Sequence, residues 1–311
     1  MRRTGYKNNL FNNIEGGCVL KKIFDNVQKK KIFNIIKYNK NLQEKLGLDI
    51  NDYFNYSNVI IEIIPIKVKI RKIKKIIDIQ GYDKKYCTII MTDVKNDNYK
   101  IDRNYIFPED NAVKITITLD YRFDRFSYLF SKCDGIKSVD FIKYNRKDIE
   151  DISHMFRECS NLEYANISNI NLDIIINMSY LFAYCQKLYK VNLSNLNTNK
   201  VKDLSFMFCK CNSLTYVNLS NFNTDNAINM YNMFHKCFNL ETLNIESFNT
   251  SKVKYMTDMF SYCYSLKELN ISSKFTTKNV KFMNRMLYNC NEDIIKKIKK
   301  KCGKIDDSAF L

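Results

Sequence analysis

One short phrase recurs through residues 123–290 and constrains this chain more than any other feature. It reads Met155-Phe156-Arg157-Glu158-Cys159, then Leu181-Phe182-Ala183-Tyr184-Cys185, then Met207-Phe208-Cys209-Lys210-Cys211. Two more copies follow, Met233-Phe234-His235-Lys236-Cys237 and Met259-Phe260-Ser261-Tyr262-Cys263, with degenerate copies ending at Cys133 and Cys290. The cysteines step by 26 residues and the last by 27. A fixed period of this size is the signature of a solenoid, whose units bury their apolar faces only against their neighbours.

The cysteine sets the register of everything else. Three residues after it stands Leu162, Leu188, Leu214, Leu240 or Leu266; six after, Ala165, Val191, Val217, Leu243 or Leu269; eight after, Ile167, Leu193, Leu219, Ile245 or Ile271. Positions six and eight are two apart and share one face of a strand. A turn rich in Asn and Ser follows, then Asn197-Thr198, Asn223-Thr224 or Asn249-Thr250, which can cap a helix. Val201, Leu204, Met207, Phe208 and Cys211 then fall at the spacing of a buried helical stripe. The expected architecture is an α/β repeat solenoid, one short strand and one short helix per unit.

The rest of the chain divides by periodicity. Residues 1–16 are polar and expected to be a flexible tail, and 17–57 read as helical, with Gly47 as a stop. Residues 58–120 read as a small β-rich module with strands near 59–64, 66–71, 87–91 and 113–119. The solenoid is assigned to 121–290, and 291–311 to a basic amphipathic capping helix and tail.

The repeat phrase resembles the BspA-like leucine-rich-repeat class, most clearly over residues 214–237 and 240–263. The resemblance implies an α/β solenoid used for adhesion or protein binding, without catalysis. Family members often carry Trp at the turn aromatic, where this chain has Phe or Leu. A second, partial resemblance to an F-box covers residues 19–46, without the Leu-Pro opening; it implies docking on a ubiquitin-ligase adaptor.

Length and charge bound the function. With 311 residues and 45% hydrophobic content the chain can bury a sizeable core, and its formal charge of +17 favours anionic partners. Heavy use of Lys, Asn and Ile also fits a compositional bias that raises charge everywhere. The densest basic run holds Lys67, Lys69 and Arg71, which on a strand share a face that could meet phosphate or acidic lipid, or simply protect an edge. No aromatic interleaving or other specific nucleic-acid motif accompanies it.

Eleven cysteines with no apolar leader read as reduced thiols, so the expected location is the cytoplasm. No uncharged run is long enough to span a bilayer. The cysteine ladder and the methionines beside it read as core. His154 and His235 have no Cys, Ser or carboxylate partner placed consistently by the repeat, and glycine-rich phosphate loops are absent. No enzyme, metal or cofactor is expected.

Recognition is instead expected on the outward strand face. Five residues after each cysteine the repeat varies: Tyr164, Lys190, Tyr216, Thr242 and Glu268. Seven after, it holds Asn166, Asn192, Asn218, Asn244 and Asn270, which either contact a ligand or bond to one another and stabilise the sheet. Nine after, Glu246 departs from a series of serines. Variable outward residues among fixed inward ones suit a protein-binding face. The alternatives are a surface adhesin, an F-box adaptor, and an anion or nucleic-acid binder working through the basic module.

Overall fold

The computed structural model describes residues 40–46, 58–67, 72–79, 81–120, 122–124, 126–144, 146, 149–303 and 305–311. The chain forms two compact units, Met1–Asn58 and Val59–Leu311. Of the first, helix α1 (Lys40–Leu46) is described and ends one residue before Gly47. The expected tail 1–16 and most of the F-box-like stretch lie outside the described residues.

The second unit opens with antiparallel strands that lead into the solenoid. Strand β1 (Val59–Pro65) buries Val59, Ile61 and Ile63 on one face, as period-two alternation requires. With β3 (Cys87–Asp93), β4 (Asn98–Ile101) and β6 (Ala112–Leu119) it belongs to a seven-stranded sheet. Of the strand expected near 66–71, Ile66 and Lys67 follow the end of β1 at Pro65 and are outside any strand, and the remainder lies outside the described residues. Short β2 (Lys74–Lys75) pairs instead with β5 (Tyr105–Ile106).

The first solenoid strand, β7 (Ile136–Lys143), pairs antiparallel with β1 and parallel with β8 (Tyr164–Asn166). The antiparallel strands thus cover the edge that an open solenoid would otherwise expose. Strands β9 (Lys190–Asn192), β10 (Tyr216–Asn218), β11 (Thr242–Ile245) and β12 (Glu268–Ile271) continue the succession, one per repeat.

The solenoid stands, but the helical stripe is not a helix. In each repeat alternate N–H groups divide their bonds between two partners. Met207, Cys209 and Cys211 donate three residues back, to Leu204, Phe206 and Phe208 at 3.1–3.3 Å. Phe206, Phe208 and Lys210 donate across to Tyr231, Met233 and His235 of the next repeat at 2.8–2.9 Å. An α-helix would spend all of these on the carbonyl four residues back. The backbone turns this way because two residues per repeat are left-handed, such as Phe206 (φ 57°) and Lys210 (φ 59°). Successive turns also return a side chain to one face every three or four residues, so the apolar spacing matches a helix while the hydrogen bonding does not.

The core follows the repeat. Phe130, Phe156, Phe182, Phe208, Phe234 and Phe260 stack with centroids 5.3–5.9 Å apart and rings within 12° of parallel. Burying one such ring contributes about 1.5–3 kcal/mol. Each repeat cysteine is buried or nearly so, and from Cys159 onward the thiol donates to the Phe carbonyl of the preceding turn: Cys185 to Phe156 at 3.0 Å, Cys211 to Phe182 at 3.1 Å, Cys237 to Phe208 at 3.1 Å. The Asn-Thr pairs cap turns, not helices. Asn223 Oδ1 accepts from Asp225 N at 2.8 Å, while buried Thr224 donates to Asn249 O of the next repeat at 3.0 Å.

Helix α2 (Glu292–Cys302) closes the far end. Asn291 caps it by accepting from Asp293 N, acidic residues open it, lysines end it, and Ile294 and Ile298 are buried. The following segment supplies carbonyls to the last turn, with Arg285 N donating to Ser308 O and Leu287 N to Ala309 O.

Candidate binding face and the cleft between two strands

The outward residues align as the register demands. Tyr164 stands beside Lys190, and Thr242 stands between Tyr216 and Glu268; Asn166 neighbours Asn192, and Asn244 lies between Asn218 and Asn270. Lys190, Tyr216, Asn218, Glu246, Glu268 and Asn270 are exposed; Tyr164, Asn166, Asn192, Thr242 and Asn244 are half-buried. Ser272, at position nine, is buried.

The asparagines do not bond to one another along the sheet. Each Oδ1 from Asn166 to Asn244 accepts a main-chain N–H two residues ahead: Ser168 at 3.2 Å, Ser194 at 3.2 Å, Ser220 at 3.0 Å and Glu246 at 3.1 Å. Their first task is therefore to shape the turn after the strand. Two reach back a repeat with the amide nitrogen, Asn166 to Asp140 Oδ1 at 2.9 Å and Asn192 to Ser168 Oγ at 3.4 Å.

In the middle of this face the sheet is divided. Strands β10, β11 and β12 form a separate three-stranded sheet, and β9 and β10 are not hydrogen-bonded neighbours. Elsewhere consecutive turns are tied just past the strand, by Ile167 N to Asn192 O at 3.2 Å and Leu219 N to Asn244 O at 2.8 Å. The corresponding bond from Leu193 to Asn218 is not among those of the described residues. On the opposite side the same two turns stay joined, Phe182 N to Met207 O at 2.9 Å and Tyr184 N to Cys209 O at 2.7 Å. The opening is a wedge, closed behind and open in front.

The wedge forms a cleft of about 540 Å³ lined by Tyr189, Lys190, Asn192, Ser194, Tyr216 and Asn218 among others. Tyr189 and Tyr216 are each 53% exposed. Val191, whose counterparts Ala165 and Val217 are sealed, is only half-buried here. A shallower cleft of about 380 Å³ adjoins it through Tyr189 and Lys190 and reaches Tyr164 and Ile64. Lys190 Nζ lies 5.8 Å from the Tyr164 ring centroid, within cation–π range.

The other candidates come out differently. Lys67 is exposed, Lys69 and Arg71 lie outside the described residues, and nearby Lys74 and Lys75 are engaged with Asp134 and, at 2.9 Å, Asp78. Among the described residues no cluster of three or more His, Cys, Asp or Glu is arranged to hold a metal ion. Among the described residues, too, no helix is long and apolar enough to cross a membrane.

One relationship escapes a reading by repeat position. His235 Nδ1 lies 3.9 Å from Asp258 Oδ1 of the next turn, and Asp258 is buried and paired with Arg285 at 2.9 Å. Burial depresses the His235 pKa to about 4, against Asp258, with Lys236, Lys210 and Arg285 adding to the fall. Ser261, three residues on in the same turn, is fully buried and donates its main-chain N–H to Asp258 O at 3.2 Å, while the Arg285 side chain is exposed. His154 is stacked between Tyr128 and Tyr180, centroids 4.4 and 4.5 Å away.

Comparison with known proteins returns two families. The one described as Mycoplasma protein of unknown function, DUF285, matches residues 124–237 and 213–300. The BspA type leucine-rich repeat region, six copies, matches residues 49–176, spanning the antiparallel strands and the first turns. No curated protein and no solved structure matches.

Proposed function

This chain belongs to the family described as Mycoplasma protein of unknown function, DUF285, and carries BspA-type leucine-rich repeats; on that premise we propose that it is a non-enzymatic scaffold binding a protein partner through its strand face. The observation that carries this reading is the contrast within each strand. Inward positions are uniformly apolar and, apart from half-buried Val191 and Ile271, sealed, while position five changes from Tyr to Lys to Tyr to Thr to Glu along the face. The half-exposed Tyr189 and Tyr216 add the large, stiff, amphipathic contacts that protein recognition favours, beside Asn and Ser that adapt their hydrogen bonds.

We place the protein in a reducing compartment. The repeat thiols donate to main-chain carbonyls, a role that disulfides would abolish. A surface adhesin is the second reading, favoured by the BspA-type repeats. Fractionation with thiol labelling in denaturant separates the two: fully alkylatable cysteines support the first, and a surface-exposed, partly oxidised pool supports the second.

Proximity labelling with the intact chain and with Tyr164, Lys190 and Tyr216 all replaced by Ala tests the face itself. Loss of a defined set of neighbours in the variant is expected. An unchanged set overturns the strand-face reading.

A further inference from the structure

We propose that the cleft between β9 and β10 is a receptor for a carboxylate side chain on an extended segment of the protein partner. The inference rests on the strand-face reading and names the chemistry of the site within it.

The argument begins with the polarity of two amides. Asn192 Oδ1 accepts from Ser194 N at 3.2 Å and from Ser194 Oγ at 2.8 Å, and Asn218 Oδ1 accepts from Ser220 N at 3.0 Å. A main-chain N–H can only donate, so it fixes which end of each amide faces it. The Nδ2 groups must point the other way. Asn192 Nδ2 has only the long 3.4 Å contact to Ser168 Oγ, and Asn218 Nδ2 has no hydrogen bond among the described residues. In the repeat where this ladder is satisfied, Asn166 Nδ2 donates to a carboxylate, that of Asp140, at 2.9 Å. The cleft therefore repeats a donor arrangement already used on an acid, and leaves its acceptor to come from outside.

Charge completes the selection. Lys190 is the one ionised residue lining the cleft, and it has no carboxylate partner among the described residues. A single ammonium flanked by two oriented amides matches one carboxylate. It does not match a polyanion, because Glu246 and Glu268 lie exposed farther along the same face and repel an extended run of negative charge. The exposed faces of Tyr189 and Tyr216 suit the aliphatic stem of a Glu and the residues beside it.

A side-chain NMR titration of the full chain tests the site. The probes are the pentapeptide acetyl-Gly-Ala-Glu-Ala-Gly-amide, its Gln counterpart, and heparin as a polyanion. Saturable shifts of the Asn192 and Asn218 side-chain amides are expected with the Glu peptide, with binding at least about fivefold tighter than the Gln peptide, as a charge-assisted bond exceeds a neutral one. K190M and N218D are each expected to weaken the Glu peptide by about fivefold or more, N218D because it replaces a donor by a repelling acceptor. Both side chains are exposed, and retained main-chain spectra verify folding of each variant. Equal affinity for the two peptides, shifts confined to the lysines at 296–301, tighter binding of heparin at the two amides, or wild-type binding by both variants would overturn the proposal. Failure here with neighbours still lost in the triple-alanine variant removes the carboxylate site and leaves the strand-face reading intact.

Discussion

The thiol of Cys185 donates to the carbonyl of Phe156 at 3.0 Å, and the same carbonyl accepts the backbone N–H of Cys159 at 3.1 Å. One Phe oxygen thus receives a bond from its own turn and one from the next, and the pattern recurs at Cys211 with Phe182 and at Cys237 with Phe208. The cysteine is consequently more than a small apolar filler. Burial pushes the Cys185 thiol well above its ordinary pKa, so it stays a protonated donor at neutral pH.

Cys185→Ala is expected to destabilise the chain by about 1–3 kcal/mol, combining a small cavity with a lost buried donor. Urea unfolding followed by circular dichroism measures it. Native-state alkylation of Cys185 should be far slower than that of half-buried Cys302, and equal rates in the folded protein would contradict the packing described.

The left-handed residues make a second test. Lys132 has φ 58° and lies on the exposed side of its turn. Lys132→Gly is expected to stabilise by about 0.5–1 kcal/mol, because glycine adopts this conformation without a Cβ clash. Lys132→Val should cost more than about 1 kcal/mol, since a branched Cβ is strained there. Paired thermal melts decide it: opposite shifts in Tm support the turn geometry, whereas equal shifts would favour a helical segment.

His235 gives the folded state a pH dependence. Its pKa is about 4 when folded against an ordinary 6.5, so the unfolded chain binds a proton more readily between those values. Stability is therefore full above about pH 6.5 and falls as pH drops toward 4, by up to roughly 1.4 kcal/mol per unit. His235→Gln removes that contribution while other acids titrate as before. Denaturant unfolding of both proteins at pH 7 and pH 5 should show the gap between them change by about 2 kcal/mol in favour of the variant at the lower pH.

How much of this was legible depends on whether a residue's role is set by its own turn or by the next. The outward register of Tyr164, Lys190 and Tyr216 follows from period-two alternation within one strand, and the inward Phe and Leu follow likewise. The left-handed residues were hidden because Tyr, Lys, Asn and Asp occupy them in place of glycine. The wedge was hidden because Lys190-Val191-Asn192 and Tyr216-Val217-Asn218 carry the same pattern as strands that do pair. Asp258 was missed as the neighbour of His235 because the two sit at different positions of consecutive repeats, joined only by the stacking.

Stacking of turns also predicts that single hydroxyls hold neighbouring repeats together. Thr224 is buried, donates through Oγ1 to Asn249 O at 3.0 Å, and accepts from Asn249 N at 2.8 Å. Thr250 repeats the arrangement with Thr276 O at 2.6 Å and N at 2.7 Å. Thr224→Val keeps the shape and removes both bonds, leaving a main-chain donor and acceptor buried without partners, at a cost of about 2–4 kcal/mol. Thr224→Ser keeps the hydroxyl and loses one methyl, for about 1 kcal/mol. Because each repeat is stabilised by its neighbours, the Val variant should also speed hydrogen exchange at Asn249 and Phe248 before it affects turns two repeats away. Exchange measured residue by residue distinguishes this from general loosening, and a uniform rise across the solenoid would count against a local tie.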